Sequence, residues 1–127
     1  AALVGLNLMD GRFRQVSVRE VRPLVEAGAY LIDVREKAEY DTGHLKGAAN
    51  LPLSDLRQRM DEIPRDRPVY LHCRSGQRSY NAIMALQQHG FKNLFNIAGS
   101  YLGICLYEYA QDVLTGREKI VTAYNFN

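Results

Sequence analysis

Apolar runs of strand length alternate with apolar stripes of helical spacing along most of this chain. Ser17 and Glu20 have the spacing of a capping box, and Val18, Val21, Leu24 and Val25 follow on one helical face. Pro23 fits only within the first turns of such a helix, and Gly28 ends it. Residues 30–34 (Tyr-Leu-Ile-Asp-Val) predict a buried strand. Residues 36–52 predict a short helix stopped at Gly43, a turn at Gly47 and a short extended piece through Asn50. Leu53, Leu56 and Met60 share a face of a further short helix over 54–61, ended before Pro64. A strand over 69–72 then leads through a small polar loop into a helix running to about His89, with Gly90 just past its end. Residues 91–97 predict another strand, and 101–113 an apolar helix broken at Thr115-Gly116. The repeated strand-helix order predicts an α/β fold built on an open parallel sheet, with its ligand site beyond the C-terminal strand ends. We divide the chain into an irregular lead-in (1–16), one domain (17–113) and an extended tail with exposed aromatics (114–127).

Composition narrows the partners more than the fold. The 127 residues suffice for one domain with a real core. Hydrophobic residues make up 46% and charged residues 24%, as in ordinary globular domains. A net charge of +2 gives no argument for nucleic acid or a membrane surface as partner. No apolar run approaches the ~18 residues that would span a bilayer, and we see no signal peptide at the start. Two cysteines, Cys73 and Cys105, do not make a disulfide framework, so a reducing, cytoplasmic location is the expectation. Cys105 lies in the apolar helix and reads as a small buried hydrophobe, a resolving thiol being the sharper alternative. His89 reads as a residue complementing a helix C-terminus.

The chemistry concentrates in Cys73-Arg74-Ser75-Gly76-Gln77-Arg78-Ser79. A cysteine at a strand's C-terminal end, followed by a loop and a helix start, faces loop amides and orphan helix N–H groups. Those donors, the helix dipole and the charges of Arg74 and Arg78 all favour thiolate over thiol, so Cys73 is the expected nucleophile. Arg78, one helical turn in, is placed to pair with a carboxylate or carbonyl that shapes the loop. Arg74 reads either as solvated or as facing an anion, and Ser75 and Gly76 suit tight backbone turning.

This Cys-x4-Arg loop resembles the active-site loop of rhodanese-like sulfurtransferases. Protein tyrosine phosphatases resemble it too, but their Cys-x5-Arg loop makes a wider cradle suited to a phosphoryl group. A second stretch supports the resemblance: Asp33-Val34-Arg35, then Glu39, then Gly43-His44-Leu45-Lys46-Gly47-Ala48-Ala49-Asn50 is similar to the N-terminal half of a rhodanese domain. The resemblance implies a rhodanese-like fold, an open, mostly parallel sheet with helices on both faces. It implies a catalytic Cys73 that carries a sulfane sulfur as a persulfide, with Arg74, Ser75, Gly76, Gln77 and Arg78 forming the anion-binding loop. Donors would be thiosulfate, a polysulfide or a persulfide, acceptors would be thiophiles, and no metal or organic cofactor is implied for the domain. Asp33, Arg35, Glu39 and His44 are implied as structural supports, although a neutral His44 near a thiolate would be able to relay a proton.

Ala98-Gly99 stands where the family commonly has two glycines, so Ala98 would restrict a left-handed backbone there. The lead-in and the tail resemble the flanks of rhodanese domains fused to flavin-dependent disulfide reductases of the coenzyme A disulfide reductase type. That implies a flavoprotein domain, or a second copy of this chain, as partner of the tail. FAD and coenzyme A would be cofactors only within such a larger enzyme. Two other function classes stay open at this point. A phosphatase or arsenate reductase would use the same residue types, and an interaction module would keep the fold without the chemistry.

Overall fold

A computed structural model describes residues 14–126. Among the described residues, five parallel strands form one sheet: β1 (Arg14–Val16), β2 (Tyr30–Asp33), β3 (Ala49–Asn50), β4 (Val69–His72) and β5 (Leu94–Ile97). Their order across the sheet is β1-β5-β4-β2-β3, which puts β4 at the centre. Its neighbours hold it in register on both sides, Tyr30 to Asp33 beside Val69 to His72 and Val69 to Leu71 beside Leu94 to Asn96. A parallel sheet needs both faces covered, and alternate residues fill two separate cores. Ile32, Val34, Leu71 and Leu94 pack under α3 (Leu56–Arg59) and α4 (Gln77–Gln88) through Leu56, Ile83 and Leu86. Leu31 and Ile97 on the opposite face meet α1 (Val21–Glu26) through Val21, and α5 (Ser100–Thr115) through Tyr101, Ile104 and Cys105. The α/β, rhodanese-like architecture with helices on both faces is therefore present, and every strand pair in the sheet is parallel.

Local chemistry explains most boundaries. The Ser17 N–H donates to Glu20 at 2.8 Å, one half of the expected capping box, before a single 3-10 turn leads into α1. Pro23 falls in the first turn of α1, where its missing N–H costs nothing. In α2 (Lys37–Thr42) the Glu36 N–H donates to Glu39 at 3.0 Å. Gly43 follows α2 at a point where a Cβ would lie 2.5 Å from the Ala123 carbonyl oxygen, so the chain passes too close for any side chain.

Three expectations are corrected. Arg14–Val16, placed in the irregular lead-in, is an edge strand pairing with Phe95 to Ile97; the rest of that lead-in, residues 1–13, lies outside the described residues. The strand expected over 91–97 starts only at Leu94, because Phe91 is drawn into the core under α4 instead. The tail, expected to be extended with exposed aromatics, lies against the domain and exposes little of them. Ile120 and Val121 are buried, and Val121 forms an antiparallel bridge with Leu45. Lys46 and Thr122 amides donate to Ile120 and His44 carbonyls at 2.8 Å each, and the Tyr101 hydroxyl donates to the Ala123 carbonyl at 2.6 Å. Arg117 joins Glu108 and Asp112 at 2.8 Å, and Arg22 of α1 reaches Glu108 at 2.7 Å, so α1, α5 and the tail form one ionic cluster. Only the outermost aromatic of the tail, Phe126, is exposed, and it packs edge-on to Tyr109. Among the described residues no helix is long and apolar enough to cross a membrane.

Candidate active site

Cys73 follows β4 directly, at the C-terminal edge of the central strand, where a parallel sheet presents its ligand site. The chain turns at Gly76, whose φ of +125° only glycine adopts readily, and α4 begins at Gln77. That turn brings the Gly76 N–H to 3.0 Å from the Cys73 Sγ. The side chain is almost completely covered, at 1% exposure. Burial pushes the thiol up, but hydrogen bonds from the Ser79, Gly76 and Ser75 amides and from the Ser79 hydroxyl outweigh it. Cys73 thus sits below the ordinary thiol value, in the direction the sequence indicates. The loop and helix-start amides expected from the sequence carry this lowering, joined by the Ser79 hydroxyl.

The arginines divide the work unequally. Arg78 makes a two-pronged ion pair with Glu39, at 2.6 and 2.9 Å, so its charge is answered by a carboxylate and the pair ties α4 to α2. That contact comes first in holding Glu39 below the usual carboxylate range. Arg74 is half-buried, and among the described residues its guanidinium has no hydrogen bond or ion pair. Ser75 is exposed and offers its amide, while Gln77 turns its side chain to Asn81 at 3.2 Å and lends the loop only its backbone.

Asp33 ends β2 beside His72 of β4, and Arg35 follows it against Tyr101 of α5. Arg35 is 1% exposed and binds Asp33 through Nε and Nη2, with Nη2 also donating to the Gly43 carbonyl at 2.8 Å. Its guanidinium lies 4.3 Å from the Tyr101 ring centroid. Burial raises Asp33, yet His72 and Arg35 hold it well below the carboxylate range. His72 is fully buried and its Nε2 is 3.5 Å from Asp33, with neither ring nitrogen hydrogen-bonded. His44 stacks on Tyr40 at 3.7 Å, its Nδ1 lies 2.8 Å from the Tyr40 carbonyl, and its N–H donates to Thr122. These contacts anchor the 43–46 turn rather than reach the thiol. Burial pushes the Cys105 thiol up, as expected of a packing residue, beside Tyr101. Among the described residues no group of His, Cys, Asp or Glu is arranged to hold a metal.

Three polar residues beneath the sulfur were not singled out from sequence. Ser79 is fully buried with its Oγ 3.8 Å from Sγ, and Asn96 of β5 lies 2.7 Å beyond it. Ser100 accepts the Cys73 N–H at 3.2 Å and its hydroxyl is 4.0 Å from Sγ. The two following amides of α5, Tyr101 and Leu102, donate to the Cys73 and Arg74 carbonyls at 2.9 and 3.1 Å, so the start of α5 clamps the loop. Ser100 has φ +50°, immediately after Gly99 at +87°. Ala98, expected to restrict a left-handed backbone, does not adopt one; Gly99 and Ser100 take that conformation instead. A polar residue inside an apolar strand (Asn96) and a Gly-Ser pair at the start of an apolar helix were the available signals.

Residues 17–106 match the family model described as a rhodanese-like domain. Over 73 residues the chain is 47% identical to the uncharacterized protein YqhL of Bacillus subtilis (strain 168), covering 58% of each. Over 72 residues it is 42% identical to a protein of Allochromatium vinosum named sulfurtransferase, covering 57% of this chain and 67% of that one. Reduced Bacillus anthracis CoADR-RHD superposes with a TM-score of 0.69 at 41% identity, covering 75% of this chain but 17% of that one. The chain thus matches little more than half the length of YqhL and under a fifth of CoADR-RHD.

Proposed function

The chain belongs to the rhodanese-like domain family, and on that premise we propose that it is a sulfurtransferase carrying a sulfane sulfur as a persulfide on Cys73. One observation carries the reading: a covered cysteine at the end of the central strand, held toward its thiolate by the Gly76 amide at 3.0 Å. The similarity to the Allochromatium vinosum sulfurtransferase supports the reaction class.

The thiolate attacks the outer sulfur of thiosulfate, the new Cys73 S–S bond forms as the old S–S bond breaks, and sulfite leaves with the electron pair. The persulfide anion left on Cys73 has the same charge as the thiolate it replaces, so the amides of Ser75, Gly76 and Ser79 solvate both states. A thiophile such as cyanide or a thiolate then takes the outer sulfur and returns Cys73 to thiolate. Two half-reactions through one covalent intermediate require ping-pong kinetics. Neither half-reaction needs an electron from outside, so the scheme balances without a cofactor. The partly open Arg74 is the charge left to meet an anionic donor, because Glu39 already answers Arg78. Within a longer protein, a flavoprotein reductase domain of the CoADR type is the partner that the likeness to CoADR-RHD suggests.

The test is the intact mass after incubation with thiosulfate and removal of the donor. A species heavier by one sulfur, absent in Cys73→Ser and discharged by cyanide as thiocyanate, is the expected result. An adduct with polysulfide alone would keep the mechanism and change the donor. No adduct with any sulfane donor, together with Cys73-dependent turnover of p-nitrophenyl phosphate, would overturn the proposal.

A further inference from the structure

The transfer steps above leave a buried polar chain beneath Cys73 unused. Ser79 Oγ lies 3.8 Å from Cys73 Sγ, 3.0 Å from the Gly76 carbonyl oxygen and 2.7 Å from Asn96 Oδ1. Asn96 stands on β5, 8% exposed, with its side chain under the loop. A hydroxyl has one proton to give, so Ser79 cannot donate to all three neighbours. While the sulfur is a thiol the chain is consistent: S–H donates to Ser79, and Ser79 donates onward to Asn96 or Gly76. Ionisation reverses the demand. A thiolate only accepts, the Ser79 proton belongs on sulfur, and an Asn96 carbonyl would then face the Ser79 lone pairs at hydrogen-bond distance. A carboxamide resolves this by a half-turn of its terminal group, which puts an N–H donor where the carbonyl stood.

We propose that Asn96 is a positioning residue for Cys73, presenting its carbonyl to Ser79 in the thiol state and its NH2 in the thiolate state, so that the Ser79 hydroxyl is free to donate to the ionised sulfur. The sulfur's own proton leaves to solvent, and no other bond changes. The inference rests on the reading of Cys73 as a thiolate nucleophile, but it concerns ionisation alone and is measured without any sulfur donor. The other charged or titratable groups around the site are Arg74 on the loop, Arg78 of α4 with Glu39 of α2, and, at the adjoining ends of β2 and β4, Asp33, Arg35 and His72. All remain in the variants below.

Asn96→Asp keeps the shape and, as a carboxylate, only accepts, holding the Ser79 proton away from sulfur; its charge adds a rise of its own that does not depend on Ser79. The pH dependence of iodoacetamide alkylation at Cys73, read by peptide mass, gives the thiolate pKa in wild type, Asn96→Asp, Ser79→Ala and the double variant. Asn96→Asp should raise that pKa by about one unit, about tenfold slower alkylation well below both values. The rise should shrink markedly in the Ser79→Ala background, where there is no hydroxyl proton to misdirect. An equal rise in both backgrounds, or none in either, overturns the proposal; a merely structural Asn96 would lower the melting temperature and give no Ser79-dependent rise. Should Asn96→Asp fail to fold by circular dichroism, the wild-type Asn96 side-chain amide signals in 15N-correlated NMR carry the test: they should move with the Cys73 titration midpoint and lose that movement in Ser79→Ala, and signals that ignore the Cys73 midpoint overturn the proposal. A shifted thiolate pKa alongside absent sulfur transfer would refute the sulfurtransferase reading and leave this one standing.

Discussion

Ser100 offers a stability measurement in which the usual ranking of two residues should invert. It opens α5 at φ +50°, fully buried, and its hydroxyl accepts the Cys73 N–H at 3.2 Å. Ser100→Ala and Ser100→Gly both delete that acceptor and leave a buried N–H short of a partner, a loss of about 1–3 kcal/mol. They differ in the backbone. A Cβ in left-handed conformation costs roughly 1–2 kcal/mol, which alanine keeps and glycine sheds. Against that, glycine loses about 0.5–1 kcal/mol more chain entropy than alanine on ordering. The balance puts Ser100→Gly about 0.5–1 kcal/mol above Ser100→Ala, although both fall below wild type. Guanidinium unfolding followed by far-UV circular dichroism reads this as a higher midpoint for the glycine variant at equal slope. An alanine variant as stable as the glycine variant, or more so, would refute the claim that the turn between β5 and α5 is held in a conformation its side chain resists. Activity adds a second reading: because α5 clamps the Cys73 and Arg74 carbonyls through its first amides, both variants should retain a folded loop.

Gly43→Ala should destabilise by about 1–3 kcal/mol, since its Cβ would lie 2.5 Å from the Ala123 carbonyl oxygen; a urea midpoint unchanged from wild type would mean the tail is not strapped against the 43–46 turn. Glu39→Gln should cost about 0.5–1 kcal/mol at neutral pH, discounted for the pair's partial exposure. Because the folded Glu39 pKa is depressed, its stabilisation is present above the ordinary glutamate value and fades as pH falls toward the folded value. Wild type and Glu39→Gln should therefore converge in urea midpoint on going from about pH 7 to the acid side of about pH 4, and a gap that widens there would contradict the assignment. Iodoacetamide below the ordinary thiol pKa should modify Cys73 in the native protein and Cys105 only after denaturant is added, because hydrogen bonds lower one thiol and burial raises the other. Peptide mass mapping that finds native Cys105 reacting first would reverse that order.

Element types could be read from the chain where local chemistry and burial agreed. Val69 to His72 is a strand because its apolar residues serve both cores of a central position, and Gly76, Gly90 and Gly116 mark turns through positive φ values that side chains disfavour. Arg14–Val16 could not be read this way: a three-residue edge strand of Arg, Gln and Val carries no pattern of its own, and only pairing with β5 makes it one. The tail misled for a related reason. Its aromatics look unpartnered in sequence, but Leu45, far away along the chain, together with Tyr101 and Asp112 of α5, supplies the surface that receives Val121, Ala123 and Tyr124.

Adjacent residues alone carry the spacing from Cys73 to Arg78 and the strand-loop-helix that aims amides at the sulfur, because these are properties of neighbours in the chain. The same spacing places Arg78 where a carboxylate would find it. Folding shows that the carboxylate is Glu39, 39 residues away, and that Arg74, not Arg78, is the loop arginine without a hydrogen bond or ion pair among the described residues. It alone set Ser79, Asn96 and Ser100 under Cys73, since they meet where β4, β5 and the starts of α4 and α5 converge. Backbone turns follow local sterics, whereas the solvation of a buried sulfur depends on whatever the sheet order and register bring within hydrogen-bond reach. That depends on pairing the whole sheet.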